Sequence, residues 1–352
     1  MVSYVWRDSP DKKAGPQIEE RAENHRNHQH GDSSLGIPNV FDLRRRAGQG
    51  RLRAEETEVG GHRCGGNNRP RRQQDIAAQG EEKPISWIDI LALASVRKGA
   101  KLVDAKAVRQ AAQELKGDLT PQELLGEQYT YFAYYRRAYE AVLGGLVGNY
   151  AIEVTNKDTG QKEWVATYGL KAFSPIAAGY GYSHYHDFGS SRSYGFARRH
   201  LGNDLMGSLG TPIVAVESGT VEALGWNRYG GWRIGIRSDD TLRYYYYAHL
   251  QKDHPYARGL EVGSRVEAGD VIGFMGRTGY STRENVNNIN TVHLHFGLEL
   301  VFDESQKECD SEIWVDVYSL VELLSEHRSS VRYDKEQDKW VRIYPYRDLD
   351  AE

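Results

Sequence analysis

The chain from Thr211 onward consists of short strand-like runs, and this feature limits the possible folds more than any other. Runs rich in Val, Ile and Tyr alternate with turns that contain glycine: PIVAV, TVEAL, WRIGI, LRYYYYAHL and DVIGFMG. Several short strands at such close spacing are typical of an antiparallel sheet, because βαβ units would need a helix between successive strands. The sequence therefore predicts a β-rich domain over residues 150–330, which starts with a hairpin and ends with a closing helix near 317–324.

The segment 85–149 has helical spacing instead. Behind Ser86, a candidate N-cap, apolar residues recur at i, i+3, i+4 and i+7. Thr120, Pro121 and Glu123 have the pattern of a capping box with proline in the first turn. We therefore predict a small helical domain. Its last helix has an aromatic face that we expect to pack in the core, comprising Tyr131, Tyr134, Tyr135, Ala138 and Val142.

The two ends of the chain are polar. Residues 1–84 contain only 14 large apolar residues, too few to offset the entropy of ordering, so we expect a disordered segment. Its arginine clusters would also suit an arm that binds nucleic acid or an anionic wall polymer. Histidines at 25, 28 and 30 leave a metal-binding tract as an alternative. Residues 331–352 are expected to form a charged tail.

Charge, cysteine content and hydropathy exclude several classes of protein. The 45 basic and 49 acidic side chains give a net charge of −4, so we expect no nucleic-acid partner. Cys64 and Cys309 are the two cysteines of the chain, which excludes a disulfide framework and a four-cysteine zinc site. No apolar run reaches the roughly 18–20 residues of a membrane-spanning helix. The first residues also lack the layout of a signal peptide.

Five residues of the β-rich region form a pattern suited to metal chemistry. His200 and Asp204 are four residues apart, so one helical turn or a tight loop would direct both at one point. His293 and His295 alternate in the strand-like run TVHLHFGLEL, which places both imidazoles on one face of a sheet. His249 lies at the end of the run YYYYAHL. Together these residues offer enough nitrogen and oxygen donors for one divalent ion.

Two histidines and one aspartate would leave the fourth tetrahedral position of a zinc ion open for water. Catalytic zinc sites have this arrangement, whereas structural sites are closed by four protein ligands. Zinc lowers the pKa of bound water to about 7 and polarises a carbonyl group, so amide hydrolysis is the expected chemistry. The spacing alone does not decide which of His293 and His295 binds the ion, and each motif by itself is common by chance.

The β-rich region resembles the lysostaphin-type (LytM-like) zinc endopeptidases of bacterial cell walls. The resemblance spans about residues 180–302 and rests on segments in the family's order and spacing: RRHLGNDLMGSLGTPIVAVESGTVEALG, YGGWRIGIR, YYYYAHL, VEAGDVIGFMGRTGYS and VHLHFGLEL. It implies a lysostaphin-like antiparallel β-sheet catalytic domain. With the small helical domain and the disordered N-terminal segment predicted from composition and spacing, the expected fold class is α+β.

The resemblance also implies roles for individual residues. It gives one zinc ion per chain three ligands: His200, Asp204 and His295. His293 becomes the general base for the water at the metal, and His249 helps to stabilise the oxyanion or shares the proton transfer. Tyr194, six residues before His200, is expected to contribute a hydroxyl to the transition state. The alternative for Tyr194 is a loop aromatic that lines the groove.

The expected function is zinc-dependent hydrolysis of amide bonds in peptidoglycan stem or cross-bridge peptides. The alternative is a non-hydrolysing protein with the same fold that binds peptidoglycan or regulates an amidase. Such relatives have typically lost zinc ligands, which this chain keeps. The substrate implies a location in the cell wall or outside the cell. Because the first residues lack a signal peptide, we expect the true start of the protein to differ from residue 1. The alternatives are export by another route and action in an intracellular compartment, such as one formed during sporulation.

Overall fold

The computed structural model describes residues 4–5, 85–99, 103–156, 159–194, 197–307 and 312–351. The polar segment predicted over residues 1–84 lies outside the described residues, apart from the short strand β1 (Tyr4–Val5). The histidines at 25, 28 and 30 and both cysteines also lie outside them. Within the described part of the chain, no helix has the length and apolar character needed to cross a membrane.

The predicted helices are present between residues 87 and 143. They are α1 (Trp87–Lys98), α2 (Ala105–Leu115), α3 (Pro121–Leu125) and α4 (Tyr129–Leu143). Ser86 Oγ accepts a hydrogen bond from the Asp89 amide at 3.4 Å and so caps α1. Thr120 and Glu123 make both bonds of the capping box at the start of α3.

The aromatic face predicted for α4 is wrong in part. Tyr131 is 65% exposed and Tyr134 is 39% exposed, whereas Phe132, Tyr139 and Val142 are buried. The buried residues also recur at helical spacing, and α4 packs on α1 through this neighbouring face. Tyr131 and Tyr134 can face water because the tyrosine hydroxyl is polar. The orientation of α4 is therefore set by the side chains that pack against α1 and not by the face with the most aromatic residues.

The β-rich region forms a nine-stranded antiparallel sheet that includes β1. Its other strands are β4 (Ser183–His184), β7 (Asn203–Met206), β9 (Gly219–Asn227), β10 (Gly231–Ser238), β11 (Arg243–Ala248), β12 (Arg265–Val266), β14 (His293–Leu300) and β15 (Ile313–Val315). The strand order is β1-β15-β14-β11-β10-β9-β12, with β7 and β4 on the same edge of β14 as β15. Every pairing within this sheet is antiparallel, as the strand pattern predicts.

Smaller sheets flank the large one. Strands β2 (Val147–Thr155) and β3 (Lys162–Leu170) form the predicted hairpin. Two further pairs join β5 (Ser191–Arg192) to β6 (Arg198–Arg199) and β8 (Pro212–Val214) to β13 (Val271–Phe274). The closing helix is α5 (Tyr318–Leu324).

Strand β14 shows how the sheet separates its core from its functional face. Leu294 and Phe296 are fully buried, and the period of two places His293 and His295 on the opposite face. The buried side chains of the sheet join those of α1 and α4 in one continuous hydrophobic cluster. The predicted boundary near residue 149 therefore marks a change of secondary structure within a common core.

The charged tail predicted over residues 331–352 is folded over its described part. It contains β16 (Val331–Asp334), β17 (Lys339–Arg342) and β18 (Tyr346–Asp348), and β18 pairs with β2 as a third strand beside β3. Tyr346 is buried against Tyr150, and the buried Lys171 ammonium binds Asp348 at 2.8 Å. Asp348 and Asp350 of this segment thus pair with the buried Lys171, a contact that the charge pattern of the sequence does not reveal.

Candidate metal centre

Strands β7 and β14 bring the three predicted metal ligands together. The strands pair with Asp204 opposite His295, and the residues just before β7 place His200 beside them. His200 Nε2 lies 3.0 Å from Asp204 Oδ1 and 2.8 Å from His295 Nδ1, and the last two atoms are 3.1 Å apart. Donor atoms from residues up to 95 positions apart thus converge at one point.

This donor set fits a zinc ion. Two imidazole nitrogens and one carboxylate oxygen are ligands that zinc accepts in sites with an open fourth position. Two ligands about 2.1 Å from one ion at a tetrahedral angle would be about 3.4 Å apart. The observed separations of 2.8–3.1 Å therefore require only small movements on binding. Among the described residues, one group of three potential metal ligands has its donor atoms within 4.8 Å of one another, and it consists of His200, Asp204 and His295.

Asp187 and Arg192 hold two of these ligands in position. His200 Nδ1 donates to the backbone carbonyl of Asp187 at 3.3 Å and lies 3.2 Å from its carboxylate, which leaves Nε2 to face the centre. Arg192 donates to Asp187 Oδ2 at 2.7 Å and to Asp204 Oδ2 at 3.1 Å. Neither Asp187 nor Arg192 belongs to a sequence motif, so these positioning residues were not predicted; folding brings Arg192 of β5 and the preceding Asp187 to the predicted ligands.

Gly202 lies where the residues around His200 approach β14 most closely. A Cβ atom at this position would lie 2.6 Å from the carbonyl oxygen of Phe296 and 2.8 Å from the His295 ring. Real Cβ atoms do not approach other atoms so closely, so glycine is required for the approach of His200 to His295. The sequence carries this signal in HLGND, between the two ligands.

His293 and His249 lie next to the ligands. His293 Nδ1 donates to the Thr291 carbonyl at 2.9 Å, and its Nε2 is 3.8 Å from Asp204 Oδ1. His249 Nδ1 donates to the Thr278 carbonyl at 2.9 Å, and the two rings have centroids 4.7 Å apart. In the neutral rings, Nε2 of each is therefore a proton acceptor.

The backbone at His249 has an unusual conformation. Its φ angle of 62° lies in the left-handed region, which non-glycine residues adopt at a cost. His249 directly follows β11, and its amide donates to the Gly230 carbonyl at 2.7 Å, which helps to hold this conformation. This turn of the chain directs the ring away from the strand toward the metal centre.

Burial and hydrogen bonding set the charges of these groups. Burial lowers the pKa of His200, but the hydrogen bonds with Asp187 and Asp204 outweigh it and raise the pKa to about 9. Burial opposes the ionisation of Asp204, yet His200 and His295 hold the pKa of this carboxyl well below its ordinary value. Burial also lowers the pKa of His249 and of His295, so both rings are neutral at pH 7. The ionised carboxylate and the neutral His295 ring suit the binding of a cation, which would displace the proton that His200 holds at pH 7.

The centre opens into a groove of about 410 Å³, whose lining includes His200, Asp204, His249 and His295. Tyr194 is 36% exposed and lies beside this lining. Its ring stacks on the lining residue Tyr280, with ring centroids 4.8 Å apart. This contact is of the kind expected for a loop aromatic beside the groove. The role of the Tyr194 hydroxyl in the transition state stays a prediction.

Comparisons with known proteins relate part of the chain to a peptidase family. Residues 198–308 match Peptidase family M23. The chain is 40% identical over 130 residues to an L-Ala–D-Glu endopeptidase of Bacillus subtilis (strain 168), which covers 37% of this chain and 38% of that protein. It is 39% identical over 98 residues to a lysostaphin of Staphylococcus staphylolyticus, which covers 28% of this chain and 18% of that one. The chain thus spans less than two fifths of the length of these curated relatives.

Solved structures include the catalytic domain of the antimicrobial peptidase lysostaphin from Staphylococcus simulans. It is 30% identical to this chain, with 40% of this chain and 92% of that one covered and a TM-score of 0.31. The matched family region, 198–308, contains His200, Asp204, His249, His293 and His295, whereas Tyr194 lies just before it. The family match, the sequence identities and the antiparallel fold show that this chain carries a Peptidase family M23 domain of the lysostaphin (LytM-like) type.

Proposed function

We propose that this chain is a zinc-dependent endopeptidase that hydrolyses amide bonds in peptidoglycan stem or cross-bridge peptides. The observation that carries the proposal is the convergence of His200 Nε2, Asp204 Oδ1 and His295 Nδ1 within 2.8–3.1 Å of one another beside an open groove. The relatives named as endopeptidases support the reaction class. A peptidoglycan substrate implies action in the cell wall or outside the cell, and we propose that location together with the activity.

In this proposal His200, Asp204 and His295 hold one zinc ion. A bound zinc ion supplies positive charge that polarises the substrate carbonyl and makes water a stronger nucleophile near neutral pH. The groove allows an extended peptide to reach this point, and the ionised Asp204 carboxylate attracts the ion.

We assign the proton transfers to His293 and His249. His293 Nε2, left without a proton by the bond from Nδ1 to Thr291, takes a proton from the attacking water. The same nitrogen then delivers that proton to the leaving amine as the C–N bond breaks. His249 also presents an unprotonated Nε2, because its Nδ1 donates to Thr278. That tautomer favours a share in proton transfer over donation to an oxyanion.

Three variants test the assignment. We expect His200→Ala to lose stoichiometric zinc in metal analysis, because one of three ligands is gone. His293→Ala should keep zinc but release soluble peptides from purified sacculi about 10²–10⁴-fold more slowly. The matched control is His254→Ala, since His254 is exposed and lies outside the groove lining. Full turnover by His293→Ala would overturn the assignment of the base.

The same assay separates an enzyme from a regulator. A chelator should abolish release of soluble peptides by the wild-type protein, and added zinc should restore it. If the purified protein contained no zinc and left sacculi intact, the alternative of a non-hydrolysing peptidoglycan-binding or amidase-regulating protein would replace this proposal.

A further inference from the structure

The segment 276–279, which begins two residues after β13, contacts both of the histidines to which we assign proton transfer. The Gly276 carbonyl accepts a hydrogen bond from the His293 amide at 3.1 Å. Two residues later, the Thr278 carbonyl accepts a hydrogen bond from His249 Nδ1 at 2.9 Å. The segment therefore connects the start of β14, which carries His293, to the turn that carries His249.

His249 is an extra residue in the pairing of β10 with β11. In this pairing Ile234 is opposite Tyr247. An unchanged register would place His249 opposite Trp232, but the amide of the next residue, Leu250, donates to the Trp232 carbonyl at 3.1 Å. An extra residue in one strand bends the chain and redirects a side chain, as in the β-bulges found next to active sites. The left-handed φ angle of His249 is the local form of this bend.

The Thr278 hydroxyl closes this irregular pair. It accepts a hydrogen bond from the Trp232 amide at 3.2 Å and donates one to the Leu250 carbonyl at 2.6 Å. In a regular antiparallel pair, two such backbone groups bond directly to each other. Thr278 and Leu250 are fully buried, so the hydroxyl, and not solvent, provides these bonds. The turn at His249 therefore depends on a hydroxyl group at residue 278.

The backbone of Thr278 is itself held by close packing against the start of β10. A Cβ atom at Gly231 would lie 2.4 Å from the carbonyl carbon of Thr278 and 2.6 Å from its carbonyl oxygen. Gly231 also has a φ angle of 65°, so both its conformation and its surroundings require glycine. The oxygen that this packing holds in place is the acceptor for His249 Nδ1.

We propose that Thr278 is a positioning residue for the proton transfer by His249; this inference rests on the proposed function. The Thr278 carbonyl selects the tautomer of the neutral ring that carries its proton on Nδ1, and this leaves Nε2 as the acceptor. The Thr278 hydroxyl holds the turn that directs the ring toward the metal centre. A rotated ring, or the other tautomer, would present no acceptor nitrogen at the place where the reaction needs one.

Thr278→Val tests the inference, because valine has nearly the shape of threonine and lacks the hydroxyl. The ring nitrogen signals of ¹⁵N-labelled histidine report the tautomer of His249 in zinc-loaded protein without any turnover, and loss of one set of signals in His249→Gln assigns them. We expect the wild-type ring to carry its proton on Nδ1 alone and the Thr278→Val ring to show a mixture of tautomers.

The same variant should show a split between kcat and KM. For release of soluble peptides from purified sacculi, kcat should fall about 10–100-fold and KM should stay within about twofold of the wild-type value. The zinc content should be unchanged, because the three predicted ligands are intact. Thr278→Ser should restore both the tautomer and kcat, since serine keeps the hydroxyl.

Ser95→Ala is the control for a loss of stability alone. It removes a buried 2.8 Å hydrogen bond between Ser95 of α1 and Tyr139 of α4, outside the groove lining. We expect this variant to have a lower unfolding temperature with the wild-type tautomer and kcat. If Thr278→Val does not fold, Thr278→Cys takes its place, because a thiol is only a weak donor and acceptor.

The outcomes separate this inference from the proposed function. In an active enzyme, the tautomer and kcat must change together in the Thr278 variant. A change in one without the other, or a loss of stability like that of Ser95→Ala with neither change, would overturn the inference and leave the enzyme proposal standing. If the wild-type protein released no peptide while Thr278→Val still altered the tautomer, the enzyme proposal would be wrong and the positioning of His249 by Thr278 would stand.

Discussion

Asp204 uses its two carboxylate oxygens for different tasks. Oδ1 faces the imidazoles of His200 and His295 at 3.0 and 3.1 Å, and Oδ2 accepts a hydrogen bond from Arg192 at 3.1 Å. Because the guanidinium engages Oδ2, the carboxylate would present only Oδ1 to a metal ion held by these residues. Arg192 also donates to Asp187, whose carboxylate contacts His200, so one guanidinium helps to orient two of the predicted ligands.

At the residue scale, we predict that Arg192 controls zinc affinity. Arg192→Met should weaken zinc binding about 10–100-fold, because Asp204 and Asp187 lose the group that orients them. Competition with a chromophoric chelator measures this directly and does not depend on turnover. Arg258→Met serves as the control, since Arg258 is exposed and pairs with Asp338. Unchanged zinc affinity in Arg192→Met would show that Arg192 does not position the ligand.

At the scale of elements, Arg243 of β11 joins the helices to the sheet. It is fully buried, donates to Glu217 at 2.9 and 3.0 Å, and donates to the carbonyls of Glu140 and Ala141 near the end of α4, each at 3.1 Å. Gly145 allows this approach, because a Cβ there would lie 1.6 Å from the Glu217 carboxylate. The guanidinium thus places a positive charge at the carbonyl end of the helix, where a cation is stabilising.

We predict that Arg243→Leu lowers the free energy of unfolding by about 3–5 kcal/mol, because Glu217 is left as a buried charge without its cation. The double variant Arg243→Leu with Glu217→Leu should be less destabilised than the sum of the single changes. Urea unfolding of the four proteins of this cycle measures both effects. For comparison, Arg97→Leu removes a partly exposed pair with Glu114 and should cost no more than about 1 kcal/mol. Additive effects in the cycle would contradict the coupling.

At the scale of the whole molecule, the C-terminal part of the chain fastens onto segments far from it in sequence. His327 donates to the Ala172 carbonyl and stacks on Phe173, with centroids 4.4 Å apart. Arg328 donates to the carbonyls of Ile176, Ala177 and Tyr180. These contacts, with β18 beside β2, make residues 327–351 part of the folded unit.

His327 makes stability depend on pH. Burial lowers its pKa in the folded protein below the ordinary value of 6.5, so the unfolded chain binds a proton more readily. Its contribution to stability is therefore present in full above pH 6.5 and is lost as the pH falls from there through the folded-state pKa. We expect the unfolding temperature to fall less steeply between about pH 7.5 and about pH 5 in His327→Asn than in the wild type.

The control for this prediction is His254→Ala, because His254 is exposed and its replacement should leave the slope unchanged. His249 and His295 are also buried with lowered pKa values, so the His327→Asn slope should be reduced rather than abolished. An identical slope in His327→Asn and the wild type would refute the assignment.

Local patterns in the sequence were enough to predict several features. The capping residues Ser86 and Thr120 mark the starts of two helices because their bonds reach only three residues along the chain. The alternation of His293 and His295 predicts a shared face because successive side chains of any strand point to opposite sides. The resemblance to a known family then predicts which residues are the zinc ligands, and the structure brings the donor atoms of His200, Asp204 and His295 together.

Tertiary structure decided the features that depend on contacts between distant segments. Which of His293 and His295 lies opposite Asp204 depends on the register of β14 against β7, and this register pairs Asp204 with His295. The hydrogen bonds from Arg192 to Asp187 and Asp204 form only because folding brings β5 to this site. Packing against α1 decides which face of α4 is buried. The charged C-terminal segment folds because Asp348 pairs with Lys171 and β18 pairs with β2. Each residue has backbone preferences that depend on its local sequence. Burial and charge pairing, in contrast, arise only when segments distant in the chain pack together.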